Sequence, residues 1–170
     1  MKTVSFRNDV LPLKNMLYRL ALRITLDATE AEDIVQETLI RVWNKRDTWG
    51  ELNSIEAFSI TICRNLSLDY LERKERQNNS LDATLYEKPD NSPSPFDETI
   101  KSDRLQMIRN LINALPEKQR SCMQLRDIEG KSYKDIANAL EISEEQVKVN
   151  IFRARQTIKQ RFWQAEKYGL

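Results

Sequence analysis

Apolar residues recur at helical spacing along the first part of the chain, which predicts three amphipathic helices. The first helix is marked by apolar residues at successive turns, namely Leu13, Met16, Leu17, Leu20 and Ile24. The second begins after Asp27 or Thr29 and runs to about Lys45. Its apolar stripe consists of Ile34, Val35, Thr38, Leu39, Val42 and Trp43. The third begins near Ser54 and places on one face Ile55, Phe58, Ile62 and Leu66.

This helical pattern stops between Gln77 and Asp103. Three of the five prolines fall between positions 89 and 95, and six acids outnumber two bases in this stretch. Closely spaced prolines remove backbone donors and leave few apolar anchors. We therefore predict an all-α protein of two small domains, 1–76 and 102–170, joined by a flexible acidic linker over 77–101.

The second predicted domain starts with two more helices. The first carries apolar residues at Leu105, Ile108, Leu111, Ile112 and Leu115. Pro116 begins the next, which runs toward Ile128 with core candidates Cys122, Met123 and Leu125. Gly130 then breaks the helical pattern.

The segment after Gly130 predicts a helix-turn-helix. Ser132 is a suitable N-cap for a short helix whose apolar face is Tyr133, Ile136, Ala137 and Leu140. The turn reads Glu-Ile-Ser, and we expect Ile142 to fill the gap between the two helices. Ser143 and Gln146 have the spacing of a capping box, and two acids follow Ser143 where the helix dipole favours negative charge.

The second helix of this pair has an apolar inner face and a basic outer face. Val147, Ile151, Ala154 and Ile158 point inward, and no acid occurs from Lys148 to Arg161. Such a helix is either a solvated surface or a recognition helix in the major groove of DNA. Gln and Asn side chains can pair with adenine, and Val149 with a thymine methyl. Phe152 is unusual on a groove face, so packing against the preceding helices is the alternative for its ring.

The first domain holds an acid-rich stretch and a mixture of aromatic and basic residues. Residues 27–37 contain five acids and no base, which is either a helix N-terminus stabilised by its dipole or a docking surface for a basic partner. Interleaved aromatic and basic residues suit single-stranded nucleic acid. Because Trp43 and Phe58 have core spacing, we expect Trp49 and Asn53 to be the better candidates for contact.

Composition narrows the class of function. The formal net charge is only +1, so any nucleic-acid binding rests on local charge distribution. Histidine is absent, and no phosphate-cradling glycine loop occurs, so an enzyme is not expected, nor a metal or other cofactor. The cysteines, Cys63 and Cys122, are expected to be buried thiols. The N-terminus lacks an apolar signal core and no apolar run reaches membrane-spanning length, so we expect a cytoplasmic protein without membrane insertion.

Three blocks of the sequence resemble extracytoplasmic-function (ECF) sigma factors of bacterial RNA polymerase, members of the sigma-70 family. They are "AEDIVQETLIRVWNK", "RNLSLDYLERKER" and "LPEKQRSCMQLRDIEGKSYKDIANALEISEEQVKVNIFRARQTIK". The resemblance implies a transcription initiation factor that binds polymerase core and promoter DNA, and whose activity an anti-sigma protein controls. Residues 1–76 would be sigma region 2, which binds core and the −10 element, and 102–170 would be sigma region 4, which reads the −35 element.

The resemblance also implies roles for individual residues. Core binding falls on Asp33, Gln36, Glu37, Arg41 and Trp43. Contacts to the −10 element fall on Trp49, Asn53, Ser54, Arg64, Asn65, Asp69, Arg73 and Lys74. Contacts to the −35 element fall on Ser132, Tyr133, Lys134, Ser143, Gln146, Lys148, Val149, Asn150, Arg153 and Arg155. Family members commonly have Val-Lys-Ser-Arg at the start of the recognition helix, whereas this chain has Val147-Lys148-Val149-Asn150.

Two other readings compete with the sigma factor. One is an operator-binding repressor or activator, which would bind duplex DNA tightly without polymerase. The other is a helical scaffold whose basic helix binds an acidic protein. Association with polymerase core discriminates between them.

Overall fold

A computed structural model describes residues 3–78 and 100–168, with the backbone alone at 100–102. These residues form helices and connecting turns without any strand. Most of the predicted linker, at 79–99, lies outside the described residues. Within the described ranges no helix is long and apolar enough to cross a membrane.

Three helices make up the N-terminal half, after short turns at Phe6–Val10 and Leu11–Leu13. They are α1 (Lys14–Thr25), α2 (Ala28–Asn44) and α3 (Ile55–Asn78), with a 3₁₀ segment at Arg46–Glu51 before α3. Leu26 ends α1 in the left-handed conformation at φ 59°, and the Asp27 side chain caps α2 by accepting from Glu30 N at 3.1 Å. The predicted helix boundaries are therefore confirmed in this half.

Helix α3 is apolar on two sides. Ile60 and Cys63 are buried against α1 and α2 in the main core. Ile55, Phe58 and Ile62 pack instead into a second cluster, around Val10, Val42 and Trp49. The predicted face combined three residues of the second cluster with Leu66, which packs against the main core. The main-core face was missed because Ser59, Cys63 and Ser67 are small or weakly apolar.

Four helices make up the C-terminal half. They are α4 (Ile100–Asn113), α5 (Glu117–Met123), α6 (Tyr133–Leu140) and α7 (Glu144–Tyr168), with a π-helical turn at Gln124–Ile128 after α5. Gly130 follows this turn at φ 71°, a conformation that side chains disfavour, so the predicted break is confirmed. Leu105, which was predicted on the apolar face of α4, is exposed. Ile108, Leu111 and Ile112 of that face are half-buried.

The two halves are not separate in the structure, because they share one hydrophobic core. Helix α1 packs against α5, and α3 packs against α6. Leu17, Leu20 and Cys63 from the first half belong to the same buried cluster as Leu125 and Ile136 from the second. Both cysteines are buried free thiols, as predicted, and burial raises the pKa of Cys63 to about 12 and of Cys122 to about 11.

The exposures predicted from the sequence for two tryptophans are wrong. Trp43 was expected in the core but its residue is 45% exposed, whereas Trp49 was expected to be accessible and is 8% exposed. The 3₁₀ segment turns the Trp49 ring back onto α2, where its Nε1 donates to the Val42 carbonyl at 3.0 Å. Trp43 lies over this ring in an edge-to-face contact with a centroid separation of 6.2 Å.

Candidate nucleic-acid interface

The helix-turn-helix is held by side-chain caps at both of its helices. Ser132 Oγ accepts from Asp135 N at 3.0 Å and caps α6. Ser143 Oγ accepts from Gln146 N at 3.1 Å, and Gln146 Oε1 accepts from Ser143 N at 3.0 Å, which is the reciprocal capping box that the sequence predicts. Glu141 ends α6 in the left-handed conformation at φ 58°, a position where glycine is more usual.

Helix α7 has the predicted division into an inner and an outer face. Val147, Ile151 and Ala154 are buried beneath α5 and α6, and Ile158 is half-buried. Exposed on the other side are Gln146, Lys148, Val149, Phe152, Arg153 and Arg155. Phe152 is 62% exposed, so of the two alternatives for this residue, packing on the preceding helices is wrong.

Tyr133 sits between two cations at the start of α6. The guanidinium of Arg126 lies 4.3 Å from the ring centroid, and the Lys148 ammonium lies 5.4 Å from it. Arg126 also donates to the Lys131 carbonyl at 2.9 Å, which fixes it beside the N-terminus of α6. This cation was missed in the sequence because Arg126 belongs to the preceding helix, outside the helix-turn-helix pattern.

Two predicted groove residues already have partners within the protein. Arg155 forms a bidentate ion pair with Asp127, and this hydrogen bond raises the pKa of the guanidinium. Asn150 Nδ2 donates to the Gln146 carbonyl at 2.8 Å, one turn earlier in α7. Lys148, Val149 and Arg153 are exposed, and Lys148 lies beside the Tyr133 ring.

The residues predicted to contact the −10 element lie in the segment before α3 and along α3 itself. Asn53, Asn65, Asp69 and Arg73 are exposed, and Ser54 caps α3 by accepting from Ala57 N at 3.0 Å. The Lys74 ammonium lies 5.9 Å from the Tyr70 ring centroid. Arg64 differs from the others because it faces the C-terminal half, where it pairs with Glu117.

Tyr70 joins α3 to the start of α2. Its hydroxyl donates to Asp27 Oδ2 at 3.1 Å, while Asp27 Oδ1 caps α2. Burial and this hydrogen bond raise the pKa of Tyr70 to about 12, so the phenol stays protonated. The contact fixes the angle between the exposed part of α3 and the acid-rich beginning of α2.

The outer face of α2 presents every residue predicted to bind polymerase core. Asp33, Gln36, Glu37, Arg41 and Trp43 are exposed. Ile40 is exposed among them, which the sequence pattern did not single out. Arg46 lies over the Trp43 ring at 4.6 Å from its centroid, and Phe6 packs edge-on to the same ring.

Comparison with known proteins decides the family. The family models for sigma-70 region 2 and sigma-70 region 4 match residues 10–77 and 105–158. The ECF RNA polymerase sigma factor SigL of Mycobacterium tuberculosis is 32% identical over 145 residues, covering 85% of this chain and 81% of that protein. The chain belongs to the ECF sigma factors. It is a promoter-specific transcription initiation factor that works with RNA polymerase.

Other proteins that match this sigma factor are also sigma factors. The probable RNA polymerase sigma factor RfaY of Xanthomonas campestris is 28% identical over 149 residues, but the match spans only 37% of that longer protein. Among solved structures, the sigma factor RpoE in complex with the anti-sigma factor NepR, from Bartonella quintana, has 25% identity and a TM-score of 0.75. That match covers 94% of this chain and 96% of that one.

Proposed function

We propose that this sigma factor reads the −35 element with the outer face of α7 and the start of α6. The supporting observation is the capped, exposed recognition helix, whose apolar residues point inward while its cations point outward. Arg126, Tyr133 and Lys148 form a cluster at the N-terminus of α6, where backbone amides and cations together suit a phosphate. Ser132 and Lys134 flank that phosphate, and Ser143 holds the recognition helix in place.

Base contacts in the −35 element fall to the first two turns of α7. Gln146 and Asn150 carry amides that can pair with adenine, and Val149 offers a methyl-sized apolar surface to thymine. The exposed Phe152 extends this apolar surface by one turn. Arg153 contacts the backbone, and Arg155 reaches DNA only if it exchanges Asp127 for a phosphate.

The −10 element is proposed to bind along the loop before α3 and the exposed side of that helix. Asn53 and Ser54 start the surface, Asn65 and Asp69 continue it, and Arg73 and Lys74 end it. Trp49 does not contact DNA in this proposal, because its buried ring packs under the loop and is not available for stacking on a base. Arg64 joins the surface when its contact with Glu117 is released.

The exposed face of α2 is proposed to bind polymerase core. Its acids, Asp33 and Glu37, suit a basic partner surface, and Ile40 and Trp43 supply apolar area between charged residues. The ion pair between Arg41 and Glu37 lies within this face, at 3.0 Å. We further propose that the protein acts without catalysis of its own, in the cytoplasm, and under control of an anti-sigma protein such as the one bound to the Bartonella relative.

A binding assay with two variants tests the α2 proposal. Trp43→Ala and Ile40→Ala each remove exposed apolar area, so both should weaken association with polymerase core while leaving the fold intact. Leu105→Ala is a matched control, because Leu105 is an exposed apolar residue in the other half of the chain. Equal affinity of all three variants for core would contradict the assignment of this face.

A further inference from the structure

Three arginines lie together where the end of α1 meets α4 and α5. Arg23 is in the last turn of α1, Arg109 is in α4 and Arg120 is in α5. Asn113 joins the first and the third of them. Its side-chain Oδ1 accepts from Arg23 Nη1 at 2.9 Å, and its carbonyl accepts from Arg120 Nη1 at 2.7 Å. Two guanidinium groups therefore converge on the last residue of α4.

Arg109 belongs to the same three-arginine cluster. It precedes Asn113 by four residues in α4, so the two side chains lie one turn apart on the same face of the helix. Burial lowers the pKa of Arg23, and the nearby charges of Arg109 and Arg120 lower it further. Arg120 is 7% exposed, Arg23 is half-buried and Arg109 is exposed. The cluster thus extends from the interior of the protein to its surface.

The three-arginine cluster has no anionic partner among the described residues. Arg23 donates to two side-chain amide oxygens, and Arg120 donates to two main-chain carbonyls. The Nε of Arg120 is buried and has no hydrogen-bond partner in the described part of the chain. Within residues 3–78 and 103–168, Arg109 forms no hydrogen bond or ion pair. Guanidinium groups that are withdrawn from water without an opposite charge are unfavourable.

Two acids beside the cluster are already paired with other arginines. Glu117 at the start of α5 forms a bidentate ion pair with Arg64, at 2.9 and 3.0 Å. Glu129 accepts from the Gln124 amide at 3.1 Å and pairs with Arg19 at 2.7 Å. Each carboxylate is therefore balanced by a cation outside the cluster.

Helix ends supply only part of the missing negative charge. Arg120 donates to a carbonyl in the last turn of α1 and to one at the end of α4, and each helix C-terminus carries about half an elementary charge. The two ends together offset about one of the three positive charges. Burial lowers the pKa of Arg120, and the charge of Glu117, which opposes this effect, is shared with Arg64. A surplus of about two positive charges remains, which matches a phosphate dianion.

We propose that the three-arginine cluster binds a phosphate group, either as inorganic phosphate or as the phosphate of a small phosphorylated molecule. Guanidinium groups match phosphate oxygens with paired N–H donors. Arg109 and Arg23 contact these oxygens, and the more deeply buried Arg120 adds positive potential beneath them. Because Arg109 is exposed, the organic part of a phosphate ester extends into solvent. The cluster is separate from the proposed DNA and polymerase surfaces, so the proposal does not depend on the proposed function.

Isothermal titration calorimetry of the full chain with inorganic phosphate tests the site, with sodium chloride keeping the ionic strength constant. Arg109→Gln should weaken binding by about tenfold or more, because one charge-assisted contact to phosphate is lost. Arg7→Gln is the matched control, since Arg7 is an exposed arginine without an ion pair in the described ranges. Lys148→Ala removes a cation from the proposed DNA surface and should leave the affinity for phosphate at this site unchanged.

Thermal unfolding gives a second, independent readout. In chloride alone, Arg109→Gln should unfold at the same temperature as the wild type or at a higher one, because the substitution removes the repulsion between Arg109 and Arg23. In phosphate the order should reverse, since the wild type gains more stability from the bound ligand. Arg7→Gln should follow the wild type in both solutions.

Phenyl phosphate distinguishes the two sources of the phosphate group. Affinity equal to that of inorganic phosphate would support recognition of the phosphate alone, and tighter binding would support a small phosphorylated molecule as the ligand. No binding of either compound by the wild type, or equal affinities of the wild type and Arg109→Gln, would overturn the proposal. Loss of binding in Lys148→Ala and not in Arg109→Gln would also overturn it, because the phosphate would then bind at the DNA surface.

Discussion

Arg64 has one partner in the structure and a different one under the proposed function. In the structure its side chain is 12% exposed and forms an ion pair with Glu117. In the proposed promoter complex the same guanidinium lies against DNA. Because one guanidinium cannot hold both partners in the same geometry, the proposed DNA contact requires release of the pair with Glu117.

A substitution of Lys148 tests whether the cluster of Arg126, Tyr133 and Lys148 binds a phosphate. Lys148→Ala should lower affinity for a −35 duplex and reduce the slope of log affinity against log salt by about one, because one fewer counterion is released. Lys14→Ala is the control, since Lys14 is an exposed lysine of the N-terminal half. A slope equal to that of the wild type would mean that the ammonium does not contact the backbone.

Trp49 and Trp43 should respond differently to truncation. Trp49→Ala leaves a cavity in the second cluster and removes the bond to Val42, so it should lower the free energy of unfolding by about 3–5 kcal/mol. Trp43→Ala should cost much less stability because the residue is 45% exposed. Denaturant unfolding measures both. Similar losses for the two variants would contradict the burial of Trp49 as the support of the loop.

The caps and the apolar faces of the helix-turn-helix can be predicted from local sequence patterns. Ser132, Ser143 and Gln146 form the caps that their spacing predicts, and the apolar residues of α7 recur where its inner face requires them. Such contacts span three or four residues, so they can be read without knowledge of the fold. The exposure of Phe152 could not be read this way, because it depends on how far α5 and α6 extend over α7.

The capping box at the start of α7 can be tested directly. Ser143→Ala should lower the free energy of unfolding by about 1 kcal/mol, because the backbone amide of Gln146 loses its side-chain partner. Ser143→Asn should retain most of this stability, since asparagine also caps helices well. Thermal or denaturant unfolding distinguishes the variants. Equal loss in both would show that the hydroxyl acts by some contact other than the cap.

At the scale of the whole molecule, the packing of the two halves against each other was not predicted from the sequence. Arg19 and Glu129 lie 110 positions apart, and Arg64 and Glu117 lie 53 apart. No periodicity connects residues at such separations, and nothing in the local sequence distinguishes these charges from ordinary surface charges. The predicted pair of helical units could be read from local patterns, but their contact depends on surfaces that become complementary only after each has folded.

The contribution of the Arg19–Glu129 ion pair to stability should respond to acid in a defined direction. Glu129 is nearly enclosed; burial opposes its ionisation, but its hydrogen bond and charge interaction with Arg19, together with Gln124 and Lys131, lower its pKa below the usual 4.5. A lowered folded pKa means that the carboxylate stabilises the protein above its unfolded pKa, and that this contribution is lost as pH falls through the folded value.

This pH dependence separates the wild type from Glu129→Gln. The free energy of unfolding of the wild type should exceed that of the variant at neutral pH, and the difference should shrink as pH falls below about 4.5. Denaturant unfolding at a series of pH values measures the difference. A difference that stays constant from neutral to acid pH would show that ionised Glu129 does not stabilise the fold.

Run-off transcription is the most direct test of the central claim that this chain directs polymerase core to promoters with −10 and −35 elements. Core alone and the protein alone should give no specific transcript, and their mixture should give one of defined length from a template selected with the reconstituted holoenzyme. Scrambling the −35 element and substituting Lys148 should each reduce that transcript. Failure of the protein to associate with core, or a transcript independent of both promoter elements, would contradict the account.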